Sequence, residues 1–452
     1  MITLDDVERL IHLSPFLGKK LISLAPIRES QDRTLIESLQ RRALERIPEG
    51  DNRIEGSSFF LGSVDFMVRR DDESGELNYT VLETNGGSTR GISAMDPESA
   101  AEACAGYIEM LRFIDDDAPL IVIGMPTHDS LLYEKLYIAS YLQRALVEGG
   151  RCDTAQIVSI DDFHPGKLGA GRATILVGTY RKIVPPIQIY DGRSFFQGHP
   201  VSAIIGDGVA RRHYLMNMGE TADVVLSNWV FPITDDKYLT YRAVEAAIDR
   251  LTPHRIYLMP FWQAHTAEEL EAICHEQQSQ VGDLVIKPFQ GSGGAGVLPV
   301  LPDSHIPSVI EESVGEFRRK FGVWRNPFPY TACEKITSHH AHWRNSSRNY
   351  DIRVYVARSG DRLIPIGGLF RIALQPDTGT FTKQSIVVNL SGYTGIDVER
   401  GLGFNPRSLE TVRLEEQDLV KIFAASVILL TYVANHYEEI IRETGRFQSH
   451  TM

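Results

Sequence analysis

The stretch richest in potential chemistry runs from residue 284 to 297, LVIKPFQGSGGAGV. Lys287 ends an apolar run, and Gly291, Gly293, Gly294 and Gly296 follow within six residues of one another. Glycine takes positive φ without a Cβ penalty, so such a loop can turn several backbone N–H groups towards one anion. A lysine beside it adds a compact charge for the same phosphate oxygens. Gly291, Gly293 and Gly296 match G-x-G-x-x-G, but a dinucleotide fingerprint must open a helix, and residues 297–302 (VLPVLP) read as a strand with a proline stop. There is no G-K-[ST] for a Walker loop. A protein-kinase loop places its lysine after the glycines and needs H-R-D and D-F-G downstream, which are missing. An ordinary glycine-rich hairpin is the plain alternative.

A second constellation lies some 200 residues earlier. Two β-prone runs, 59–68 and 77–85, flank the turn 71–75, which is rich in Asp, Ser and Gly and signals a hairpin. Glu83 and Asn85 are two apart and share a face, and the hairpin sets Asp65 beside them. An Asp, a Glu and an Asn amide oxygen form a hard-oxygen set suited to Mg²⁺, which takes few protein ligands and bridges to substrate phosphates. The alternative is a solvated hairpin face.

These residues need a scaffold, and the chain is long enough for several cores. It has 452 residues, 43% hydrophobic and 23% charged, ordinary values for a globular protein. A net charge of −13 argues against a nucleic-acid partner, although it leaves room for a local basic pocket. Four scattered cysteines, Cys104, Cys152, Cys274 and Cys333, contain no C-x-x-C and fit reduced thiols in a cytoplasmic protein. The N-terminus lacks a basic and then apolar leader, and the longest apolar stretch, 422–434, is too short to span a bilayer and reads as a buried helix, so no membrane is expected.

Residues 1 to about 50 look helical, with Asp5, Asp6 and Ser30 as N-cap candidates, and a helix started by Asp96 and Pro97 is expected over 97–113. The triple aspartate 115–117 marks a boundary. Beyond it, strands at 119–124, 155–160, 174–177 and near 204 alternate with a helix at 133–147, which predicts a parallel α/β layer. A helix opens at Thr234-Asp235-Asp236-Lys237, carrying Tyr238, Tyr241, Val244 and Ile248 at helical spacing. Further expectations are a helix at 308–321, strands at 330–336, 350–356 and 363–373, and a long helical region at 415–442. His339, His340 and His342 have no ligand-spaced cysteine or carboxylate and are expected as loop residues, not a zinc site. Asp351 and Arg353 are expected to pair on one strand.

Strand, lysine, glycine loop, strand resembles the ATP-grasp ligases. Asp65-Phe66, a turn, an apolar strand and Glu83-x-Asn85 followed by glycine resembles the metal-binding end of the same fold. Here that end precedes the loop, an order similar to the circularly permuted ligases of the glutathionylspermidine synthetase type. The resemblance is spread over most of the chain in short motifs. It implies an α/β (α+β) fold with 1–116 as the permuted segment carrying the metal hairpin, 117–234 as a pre-ATP-grasp α/β substrate domain, 235–340 as the nucleotide subdomain and 341–452 as the C-terminal subdomain. Implied ATP contacts are Lys237, Lys287, Gln290, Gly291, Ser292, Gly293, Gly294, Glu334 and Ile336, the last two from a hinge strand meeting adenine and ribose. Asp65, Glu83 and Asn85 would hold Mg²⁺, with Mn²⁺ as a substitute, and Arg371 would meet the transferring phosphoryl group. Ser88 and Arg90 are expected at the substrate, where Arg90 either holds a carboxylate or is a surface arginine. Arg211 and Arg212 also resemble a family feature. Two departures stand out: Val387 replaces the glutamate that non-permuted relatives carry before Asn389, and Ser63 stands where the nearest permuted ligases tend to have arginine. The implied activity is ATP-dependent amide formation from a small-molecule acid and amine through an acyl-phosphate, with ADP released. A carrier-protein thiol as acceptor, a kinase and a silent nucleotide binder are the alternatives, and a homodimer is left open.

Overall fold

The computed structural model describes residues 31–443, apart from 72–73, 87–90, 93–94, 96, 126–131, 191–192, 207–223, 235, 290, 292, 380–382, 387, 389, 393–394 and 397. The expectations for Ser30, Ser88, Arg90, Arg211, Arg212, Gln290, Ser292 and Asn389 therefore lie outside the described residues.

The first described helix is α1 (Arg33–Leu44), and Asp32 caps it by accepting from Leu35 N. The predicted hairpin follows as β1 (Leu61–Arg70) and β2 (Leu77–Asn85). Asp71 closes its turn by accepting from the amide and hydroxyl of Ser74. The helix expected over 97–113 is α2 (Pro97–Ile108) continued by a 3₁₀ turn, Glu109–Phe113. Next come β3 (Leu120–Met125), α3 (Leu132–Glu148), β4 (Thr154–Ser159), β5 (Arg172–Thr179), β6 (Ala203–Ile205) and β7 (Val225–Ser227). They build the expected parallel sheet, in the order β7-β6-β3-β5-β4. All six residues of β3 are buried, as a parallel strand covered on both faces must be.

Asp236 caps α4 (Lys237–Ala246), accepting from Tyr238 N and Leu239 N. This helix ends before Ile248, which begins a separate single turn. A four-stranded antiparallel sheet then forms from β8 (Phe261–Ala264), β9 (Leu284–Pro288), β10 (Leu298–Val300) and β11 (Tyr330–Glu334), in the order β8-β11-β9-β10, with α5 (Ala267–Val281) and α6 (Ile306–Phe321) as its helices. Later in the described residues come β12 (Tyr350–Ser359), β13 (Arg362–Ile372), β14 (Gly401–Gly403) and α7 (Glu416–Glu443).

The main sheet runs β2-β1-β12-β13-β14 and is antiparallel throughout. Thus the N-terminal hairpin and the C-terminal strands share one sheet. Alternate residues on one face, among them Val64, Ile352, Val354 and Phe370, pack into the largest core with α1, α4 and α7. The apolar run in α7 belongs to a 28-residue helix that is long and apolar enough to cross a membrane, but 78% of its most apolar window is buried in this core. Of the three histidines, His342 lies in a strand, Ala341–Trp343, rather than a loop, and His340 pairs with Asp377 at 2.9 Å.

Candidate functional site

The site begins at the end of β2, which three ties hold in place. Tyr241 Oη donates to Leu82 O at 2.9 Å, Thr84 Oγ1 and Thr240 Oγ1 share a hydrogen bond of 2.9 Å, and Asn228 Nδ2 donates to Leu61 O and Gly86 O. Side chains alternate along a strand, so seating Thr84 against α4 sends Glu83 and Asn85 to the other face. There Glu83 lies 3.2 Å from Lys237 Nζ at the start of α4 and 3.7 Å from Arg353 Nη2.

That second contact belongs to a ladder of alternating charges across the sheet. In the register Asp65 faces Glu83 on one side and Arg353 on the other, and Asp351 faces Arg371. Arg353 donates to both oxygens of Asp65, at 2.7 and 2.6 Å. Arg371 Nη2 donates to Asp65 at 2.7 Å, and its guanidinium also binds Asp351 through two hydrogen bonds. One expectation changes here. Asp351 and Arg353 do not pair with each other, because residues two apart on a strand lie further apart than directly opposed ones. Arg371 is buried and held between Asp65 and Asp351 through its Nε and Nη2. Burial alone would push the Asp65 carboxyl up, but the guanidiniums of Arg353 and Arg371 hold it well below the usual carboxylate range. Asp351 has one arginine at contact distance where Asp65 has two, and burial pushes it up to about 6.

Lys287 sits differently. It lies on β9, opposite Thr331 of β11, and is only 9% exposed. Its Nζ donates to Tyr241 Oη at 2.7 Å and stands 5.2 Å from that ring's centroid. The buried Cys333 thiol is pushed up, chiefly by burial, while the positive charge of Lys287 works against that shift. Among the described residues no carboxylate lies within 4 Å of this ammonium. The glycine loop starts just beyond it. Gly293, Gly294 and Gly296 have φ of +59°, +69° and +74°. The loop is anchored on α6, with Gly296 N donating to Glu316 at 3.0 Å and Ser313 Oγ donating to Gly296 O at 2.5 Å. A Cβ at Gly296 would stand 2.9 Å from Ser313 O.

The structure thus brings Glu83, Lys237 and Lys287 around α4. Glu334, expected at the ribose, accepts from Tyr257 Oη at 2.8 Å and lies 3.5 Å from Arg69. Ile336, expected at the adenine, packs against the cluster of Tyr241, Met259 and Cys333. Sequence reading missed Tyr241, Thr240 and Asn228 as site residues. Tyr241 stands four residues after Lys237, on the same helical face, but aromatic residues at that spacing read as core.

The expected metal set divides. Asp65 is fully buried with both oxygens on guanidinium groups, so it does not fit an open metal ligand. Glu83 and Asn85 share a face, and the Asn85 Nδ2 is buried with no partner among the described residues. One carboxylate and one amide oxygen fit Mg²⁺, which completes its shell from water and phosphate. Among the described residues no three His, Cys, Asp or Glu side chains gather into a metal-binding group.

No family model and no curated protein matches the chain. Among solved structures, it is similar to a provisionally named γ-glutamylcysteine synthetase from Methylobacillus flagellatus KT (11% identity, TM-score 0.47, covering 90% of this chain and 93% of that one). It is also similar to a glutathione synthetase-like effector from Globodera pallida (11%, 0.40, 81% and 83%) and to D-alanyl-alanine synthetase A from Vibrio cholerae (10%, 0.36, 59% and 70%). All three lie below a TM-score of 0.5 and are likenesses of outline that say nothing of the chemistry.

Proposed function

We propose that this chain is an ATP-dependent ligase joining a carboxylate to an amine. The observation that carries the proposal is Lys287, a buried ammonium with a neutral phenol for a neighbour and a glycine loop in front of it. A charge taken out of water without a counter-ion is costly, and a bound anion removes that cost. ATP phosphates at the loop would meet Lys287, with the backbone N–H groups of the left-handed glycines around them. Lys237 would join from the start of α4, leaving Glu83 for the metal. Glu83 and Asn85 would hold Mg²⁺, which when bound offsets negative charge on the phosphates. Arg353 and Arg371 would keep Asp65 and the paired strands β1 and β12 rigid beneath that face. Glu334 and Ile336 would border the nucleoside. Pairing of the N-terminal hairpin with β12 supports the permuted order that the motifs resemble.

In this reading the acid's carboxylate oxygen attacks the γ-phosphorus and ADP leaves. The amine then attacks the acyl carbon, inorganic phosphate leaves, and the amine's proton passes to solvent. Such chemistry depends on positioning and charge more than on covalent help from the protein. The test is a screen of acids with ATP, Mg²⁺ and hydroxylamine, repeated with an unreactive amine analogue present. A hydroxamate together with ADP is the expected result. ADP with a stable phosphorylated product and no hydroxamate would make the protein a kinase, and ATP binding without ADP release would make it a silent binder.

A further inference from the structure

We infer that Tyr241 is a positioning residue that locks Lys287 to strand β2, so that phosphate binding at the lysine is transmitted to the strand carrying Glu83. This inference rests on the reading of Lys287 as a phosphate ligand.

The hydrogen bonds allow one polarity only. An ammonium can only donate, so Tyr241 Oη accepts from Lys287 at 2.7 Å. A phenol has a single proton, and it goes to Leu82 O at 2.9 Å. Burial pushes the Tyr241 hydroxyl well above its usual range, so it keeps that proton. Leu82 is the residue before Glu83, and the peptide unit that carries the accepting carbonyl also carries the Glu83 amide. Moving the carbonyl therefore tilts the backbone from which the Glu83 side chain projects. The ring itself is fixed by an edge contact with Phe261 of β8, with centroids 5.5 Å apart. Tyr241 thus joins β9 of the nucleotide sheet to β2 of the main sheet, although these two strands belong to different sheets. The neighbouring Thr240–Thr84 bond reaches the same strand but does not involve Lys287.

Tyr241→Phe removes one oxygen and keeps the ring over the ammonium. ATP affinity is measured by titration, and hydrogen–deuterium exchange is followed in peptides spanning 77–85 and 284–297, with and without ATP. In the wild type, ATP should slow exchange in both peptides. In Tyr241→Phe, affinity should fall about tenfold, as expected for a lost hydrogen bond to a charged group, and only the 284–297 peptide should remain protected. Lys182→Ala, whose exposed pair with Asp161 lies outside the site, should keep the wild-type affinity and the ATP-dependent protection of both peptides. A Phe variant that binds ATP within twofold of wild type and still protects 77–85 would overturn the inference. Should the Phe variant not fold, Tyr241→His takes its place, because imidazole can accept from lysine and donate to the carbonyl. Protection of 77–85 should then survive, and its loss would overturn the inference. If the wild type itself shows no ATP affinity and no protection at 284–297, the reading of Lys287 fails instead, a different result from either.

Discussion

Two groups of buried cations lie close together in this molecule and are treated in opposite ways. Arg353 and Arg371 sit in a ladder in which each guanidinium meets carboxylates at hydrogen-bond distance, and the protein balances these charges itself. Lys287 is as buried but meets a phenol, with no carboxylate within 4 Å among the described residues. Internally matched charge stiffens a sheet. In the reading proposed above, a charge unmatched among the described residues at the foot of the glycine loop leaves a place for an anion from outside. Lys237 lies between these cases, because Glu83 matches it now and the same carboxylate would be needed by a metal.

The sharpest way to break this contrast is Lys287→Ala. It should weaken ATP binding by at least about a hundredfold and abolish turnover, since charge-assisted contacts to phosphate are the strong ones. The melting temperature should stay level or rise, because an uncompensated buried charge has been removed. Titration calorimetry and a thermal melt check both halves, and a large fall in stability would show that the lysine is structural.

Asp65→Asn should do the reverse. It leaves two buried arginines short of a counter-ion and should cost about 3–5 kcal/mol, read by denaturant unfolding. The sign with pH follows from a depressed folded value: the stabilisation is complete above the unfolded range near 4 and is lost as pH falls towards the folded value. The gap between wild type and variant should therefore shrink in acid.

Glu83→Gln removes a direct ligand and is expected to weaken Mg²⁺ affinity by at least about tenfold, since losing even a partner behind the ligands costs that much, with the fold intact. Activity against Mg²⁺ concentration checks it, and an unchanged curve would remove Glu83 from the metal reading. The smallest effect should come from Lys182→Ala, whose pair with Asp161 at 2.5 Å is exposed on both sides. Less than about 0.5 kcal/mol is expected there, because solvent screens such pairs. A larger loss would mean that matching alone, without burial, decides what a charge contributes here.

Much of this was written in local pattern. The hairpin at 61–85 follows from β-prone runs around an Asp-Ser-Gly turn, the parallel layer from strands alternating with a helix, and α4 from a capping aspartate ahead of Lys237. Glu83 and Asn85 share a face because side chains alternate along any strand. Lys287 and its glycines also stand out without coordinates, because φ > 0 near a lysine is a local demand of the backbone.

What the chain order concealed is pairing at long range. Nothing near Asp65 announces that Arg353, 288 residues later, lies directly opposite, so a candidate metal ligand became an arginine-bound carboxylate only when β1 paired with β12. Tyr241 likewise read as a core aromatic, and its hydroxyl acquires a role only where α4 meets two sheets at once. Local sequence therefore determined which residues could carry charge or bend the backbone. Tertiary structure decided which of those charges are cancelled, because cancellation depends on distances of a few ångströms between strands and helices that the sequence leaves far apart.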